Sequence, residues 1–137
     1  MSDSDLPDAR LARARTAFES VAYAKFLGLE LCELNGEVTV CLDVRDELKQ
    51  NQGVVHGGAI ASLIDTASAF VILTTIDENE RVTTTDLTIH YLRPITVGRM
   101  LAKAHIVRGG RRRFVVSVEV ENNGTLAATA VTGYVKI

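Results

Sequence analysis

No apolar run in this 137-residue sequence approaches the roughly 20 residues needed to cross a bilayer. The opening stretch, MSDSDLPDAR, is acidic and has no apolar signal core, so no secretory leader is expected. Arg10, Arg13 and Arg15 hint at an organelle transit segment, but Asp3, Asp5 and Asp8 oppose it, and the cytoplasm is the expected location. Positive charge is not in excess. A formal net charge of -2 excludes a general nucleic-acid binder, whose footprint is strongly basic. Cysteine is scarce: Cys32 and Cys41 lack metal-clip spacing. They could face each other across a hairpin, but without an export signal they are expected as reduced thiols. His56, His90 and His105 have no partners at ligand spacing, so no metal site is expected. Repeats, low-complexity tracts and linkers are absent too, which leaves residues 1–137 as one domain.

What is present is ordinary globular material, 47% hydrophobic and 23% charged. An N-terminal helical segment is expected over 1–27. Pro7, beside Asp5 and Asp8, marks its start, and Leu11, Ala14, Phe18, Val21 and Ala22 recur at helical spacing up to Gly28. The runs LELCEL and EVTVCLDV flank Asn35-Gly36, a strong hairpin signal because both central residues need positive φ. Residues 45–53 read as polar and irregular, and 57–75 as a long apolar helix. Four strands follow at 81–92, 97–108, 112–121 and 125–136, with turns at Gly109-Gly110 and Asn122-Asn123-Gly124. A sheet with one apolar face must cover it, and one central helix is available. The expected class is α+β: an antiparallel sheet curled around the helix at 57–75.

That helix poses a problem. The stretch VHGGAIASLIDTA is small and apolar except for one carboxylate, Asp65. An unpaired carboxylate in a dry core costs several kcal/mol, or stays protonated. At 100° per residue, Ser62, Asp65, Thr66 and Ala69 form one narrow stripe, the one side where a polar group could be served. Asp65 therefore bonds locally to Ser62 or Thr66, faces solvent, or lines a wet groove. Gly57-Gly58 opens the helix, and a helix start offers unpaired N–H groups with partial positive charge, able to polarise a carbonyl or hold an anion. Gly57 and Asp65 are eight residues apart, roughly 12 Å along the axis at 1.5 Å per residue. One small reaction centre cannot touch both. If the two cooperate, Asp65 of one chain faces Gly57 of another, across a two-fold dimer.

The stretch QNQGVVHGGAIASLIDTA, the later DLTIHYLRPITVG and the order of elements from about residue 20 onward resemble the hotdog-fold thioesterases of the phenylacetate-degradation type, which act on acyl-coenzyme A. The resemblance implies a hotdog fold, with the helix at 57–75 as the sausage. It implies that the Gly57 N–H polarises the thioester carbonyl, and that Asp65 of the partner subunit is nucleophile or general base on a water. It places Gln50, six residues before the histidine, at the carbonyl or the water, with Asn51 as its alternate. His56 would fix the loop, Gly58 would help to bind substrate, and Thr84 would hold water or substrate. Coenzyme A is then part of the substrate and no separate cofactor is implied; a homodimer is required, pairing into a dimer of dimers. The sequence departs from some relatives in carrying Ala69, not a hydroxyl, one turn after Asp65, which moves the water-holding task to Thr84, or to Thr83 or Thr85. In RVTTTDLTIHY, alternation puts Thr84, Asp86, Thr88 and His90 on one face and Leu87, Ile89 and Tyr91 on the other, the apolar set packing on the helix.

The phosphates of coenzyme A need cations. Arg108, Arg111, Arg112 and Arg113 cluster around Gly109-Gly110, and guanidinium forks suit phosphate oxygens; a solvated hairpin tip is the competing reading. Arg93 is a further candidate. Phe70, Tyr91, Leu92 and Ile95 are candidates to line an acyl pocket or to fill the core. Two other functions fit the same residues: a hydratase or dehydratase of enoyl or 3-hydroxyacyl thioesters using His56 with Asp65, and a non-catalytic acyl-CoA-binding module.

Overall fold

The computed structural model describes residues 8–34 and 37–137. Helix α1 (Asp8–Ser20) and the short α2 (Ala22–Leu27) precede strands β1 (Glu30–Leu34) and β2 (Val38–Asp43). A single 3-10 turn at Asp46–Leu48 leads to α3 (Gly57–Leu73), and β3 (Val82–Tyr91), β4 (Arg99–Gly109), β5 (Arg113–Asn122) and β6 (Thr125–Lys136) complete the chain. The six strands make one antiparallel sheet in the order β1-β2-β4-β5-β6-β3. The expected helix and strands are thus present, with ends displaced by about two residues. The Asn122-Asn123-Gly124 turn has positive φ at Asn123 (52°) and Gly124 (78°), as its composition requires. Pro7 and the Asn35-Gly36 pair lie outside the described residues, although Leu34 pairs with Val38 on either side of the latter.

Alternation builds the core. Val38, Val40 and Leu42 of β2, Met100, Ala102 and Ala104 of β4, Val116, Val118 and Val120 of β5, and Ala128 and Ala130 of β6 are all buried against α3. The alanines on β4 and β6 leave room for the helix to lie close to the sheet. Ile60, Leu63, Ile64, Ala67, Phe70, Val71 and Ile72 of α3 are buried in return. Ser62, Asp65, Thr66 and Ala69 are each half-buried, so the stripe read from the sequence is the open side of the helix.

Three expectations are corrected. The N-terminal helix breaks at Val21, which is extended (φ -79°, ψ 108°) and exposed, as is Ala22. The apolar anchors are Ala14 and Phe18, the latter edge-on to Phe70 at 5.1 Å. Arg13 donates to the carbonyls of Leu73 and Ile76, both at 3.0 Å, closing the last turn of α3. Second, Cys32 and Cys41 are joined as a disulfide across β1 and β2, with Cα atoms 6.2 Å apart, rather than free. The β1–β2 hairpin is what brings the two sulfurs within reach of each other. Third, β3 does not alternate strictly. Its pairing with β6 shifts between Thr84 and Asp86, so that Thr84 lies opposite Tyr134 and Leu87 opposite Thr132. The bulge puts Thr84 on the same helix-facing side as Leu87, Ile89 and Tyr91.

Candidate active site

Asp65 sits on the open stripe of α3, and β3 and β6 supply its partners. Thr84 Oγ1 donates to Asp65 Oδ1 at 2.8 Å, and the Tyr134 hydroxyl donates to the same oxygen at 2.5 Å. The backbone carbonyl of Asp65 is a second acceptor for that hydroxyl, at 3.1 Å. Neither Ser62 nor Thr66 serves the carboxylate: the Ser62 hydroxyl donates to the Gly58 carbonyl at 3.0 Å and lies 2.8 Å from the Tyr23 hydroxyl. Burial pushes the Tyr134 phenol well above its ordinary range, and the bond to Asp65 and its charge push it further the same way. The phenol therefore stays protonated and remains a donor. Behind it, Thr132 donates to Ser68, whose hydroxyl bonds back to the Ile64 carbonyl, so Ser68 points into the sheet and away from the stripe.

The other end of α3 is fixed by its loop. His56 N donates to Leu48 O, and Val55 N to Ile95 O, each at 2.8 Å. His56 is the N-cap, its Nδ1 accepting from Gly58 N at 2.8 Å. Gly57 is the first helical residue, and its N–H donates to no group among the described residues. Tyr91 reaches this end from β3: its hydroxyl donates to the Gly57 carbonyl at 2.8 Å, and its ring packs 3.3 Å from where a Gly57 Cβ would stand. A cavity of about 270 Å³ opens here, lined by Val54, Gly57, Ile60, Tyr91, Leu92 and Ile95 among others. Phe70, by contrast, is buried against Phe18.

Gln50 is half-buried, and its side-chain oxygen accepts from Gln52 N at 2.9 Å, closing its own turn; Asn51 is exposed. Arg93 lines the helix-start cavity but donates to the Leu126 carbonyl at 2.8 Å. Arg108, Arg111, Arg112 and Arg113 surround a recess of about 740 Å³ together with Val115 and Val135. Among the described residues, none of these four arginines is in an ion pair. Arg113 is in register with Val135 and Thr83, one row beyond the Phe114, Tyr134 and Thr84 row. No group of three or more potential metal ligands occurs among the described residues.

Within one chain the site is therefore in two halves. Thr84 meets Asp65, although strict alternation would have turned it to the other face of β3, while Gly57, Gly58 and His56 gather at the start of the helix. Tyr134 is the residue the sequence reading missed. Its signal was the alternation of the last strand, which puts Thr132 and Tyr134 on the helix-facing side.

Known proteins share this arrangement of elements. The thioesterase superfamily profile matches residues 52–128. A Saccharolobus solfataricus protein provisionally named as an esterase is 32% identical over 109 residues, which span 78% of this chain and 77% of that protein. The medium/long-chain acyl-CoA thioesterase YigI of Escherichia coli is 34% identical over 94 residues, spanning 59% of this chain and 61% of YigI. Among solved structures, PaaI from the phenylacetic acid degradation operon of Escherichia coli superposes with a TM-score of 0.88 at 25% identity, covering 97% of this chain and 96% of PaaI.

Proposed function

The chain belongs to the thioesterase superfamily and has its hotdog fold, and from that premise we propose that it hydrolyses an acyl- or aryl-coenzyme A thioester, in a site shared by two copies of the chain. One observation carries the reading: a carboxylate held by two hydroxyl donors lies on the open stripe of the same helix whose first N–H is unpartnered among the described residues. The thioester carbonyl accepts from Gly57 N–H at the positive end of α3, where negative charge developing on oxygen is stabilised. Asp65 of the partner subunit acts at the carbonyl carbon, as nucleophile or by taking a proton from water. Water supplies the oxygen of the new acid, and the departing sulfur gains a proton to become the thiol of coenzyme A.

Two copies are needed because the halves are roughly 12 Å apart along one helix. The sheet supports such pairing. Its edge strand β3 runs ten residues and leaves Leu87 and Tyr91 exposed, with Leu92 exposed just past its end, whereas native edges of that length are normally covered. The acyl group enters the largely apolar cavity beside Gly57, and the unpaired arginines of the β4–β5 hairpin meet the phosphates. Likeness to PaaI supports the phenylacetate-degradation type, and likeness to YigI supports aliphatic acyl groups; a 270 Å³ cavity takes either a ring or a medium chain. His56 counts against the hydratase reading, since its Nδ1 is committed to capping the helix by accepting from Gly58 N–H.

A thiol-release assay over short, medium, long and aromatic acyl-CoAs tests the proposal. Asp65→Asn and Asp65→Ala are expected to lose about 100-fold or more in turnover while remaining folded at the assay temperature and keeping the wild-type oligomeric state. Undiminished turnover in either variant, or no thiol released by the wild type from any substrate, would overturn it.

A further inference from the structure

Both donors to Asp65 converge on one oxygen. Thr84 lies at 2.8 Å and Tyr134 at 2.5 Å from Oδ1, while Oδ2 receives no hydrogen bond among the described residues. A carboxylate oxygen has two in-plane lone pairs, and two donors fill them. We infer that Tyr134 is a positioning residue for the proposed hydrolysis: with Thr84 it occupies Oδ1 of Asp65 and leaves Oδ2 as the oxygen presented to the substrate.

The surroundings make this arrangement rigid. Tyr134 is 2% exposed and held in register between Phe114 and Thr84. Its backbone belongs to β6, which is paired on both sides. Thr84 is fixed by the β3 bulge, and Gly133, next to Tyr134, leaves the space that the Asp86 side chain occupies on the outer face. Two strands thus place two hydroxyls at one point, and the helix delivers the carboxylate to them. A fold-only role predicts otherwise: a phenylalanine would fill the same volume without bringing a hydroxyl to a charged group. Burial raises the phenol's pKa as already described, which opposes its ionisation and keeps the donor in place as pH rises.

The inference rests on Asp65 being the acting carboxylate, and the test separates the two. Steady-state kinetics with the best thioester found by the thiol-release screen are compared for wild type, Tyr134→Phe, Thr84→Val, Thr84→Ser and Asp65→Ala. Tyr134→Phe and Thr84→Val are each expected to lower kcat about tenfold or more, the worth of a hydrogen bond to a charged group, with KM within about twofold. Thr84→Ser, which keeps the hydroxyl, is expected to retain most of kcat. Melting curves establish that each variant is folded at the assay temperature, and Thr84→Val carries the test if Tyr134→Phe is not. The inference is overturned if a folded Tyr134→Phe or Thr84→Val turns over like wild type, if the loss appears in KM and not in kcat, or if Thr84→Ser behaves like Thr84→Val. Those results, with Asp65→Ala still inactive, would leave the function standing; an active Asp65→Ala would remove the function itself.

Discussion

His56 shows how one side chain prepares a site it does not enter. Its imidazole closes the first turn of α3 by accepting from Gly58 N, which leaves Gly57 N–H as the amide aimed outward. His56→Ala is expected to destabilise the fold by about 1 kcal/mol, the usual worth of an N-cap. His56→Asn, another good cap, should restore it; thermal denaturation of the two variants distinguishes capping from any chemical role. Asp65 was legible in the sequence because a lone carboxylate in an apolar helix demands an explanation. Tyr134 was not, since a tyrosine on a helix-facing strand position reads as one more large apolar side chain. Its partner is 69 residues away, and no local pattern encodes that pairing.

At the scale of elements, hydrophobic period and turn residues located α3 and all six strands. What they could not locate were departures from regularity. The β3 bulge is invisible to a period-two reading because Thr83, Thr84 and Thr85 are equivalent as letters; the pairing with β6 decides which of them is turned toward α3. The helix break at Val21 is hidden for a similar reason: Val21 and Ala22 keep the helical spacing but have nothing to pack on. Arg13 explains why α1 docks where it does. It binds two carbonyls at the end of α3, so Arg13→Ala is expected to cost about 1–3 kcal/mol, the penalty of leaving such groups unserved. Chemical denaturation should show that loss, with kcat unaltered at temperatures where the variant stays folded, because Arg13 lies at the end of the helix away from Gly57.

At the scale of the whole molecule, the separation of Gly57 from Asp65 was legible from residue numbers alone, and it is what makes the proposed hydrolysis call for a second chain. A mixing experiment tests that need. Gly57→Pro removes the N–H, and the backbone accepts proline, since this is the first helical position and His56 before it is extended (φ -61°, ψ 135°), with the Tyr91 ring giving way by a few tenths of an ångström to the new Cβ. Gly57→Pro and Asp65→Asn should each be nearly inactive alone. Unfolded together and refolded as an equal mixture, they should regain about a quarter of wild-type activity, because half the dimers are mixed and each mixed dimer has one intact site of two. No recovery, with mixed dimers demonstrated by mass, would mean that each chain works alone.

Strand β3 touches α3 at its middle and at its start: Thr84 reaches Asp65, and Tyr91 reaches the Gly57 carbonyl. In a two-chain enzyme of the kind proposed, these two points serve different clefts, so every β3 is common property of both. A slip of one residue along that strand would spoil two reaction centres together, and neither could be reshaped through β3 without the other feeling it.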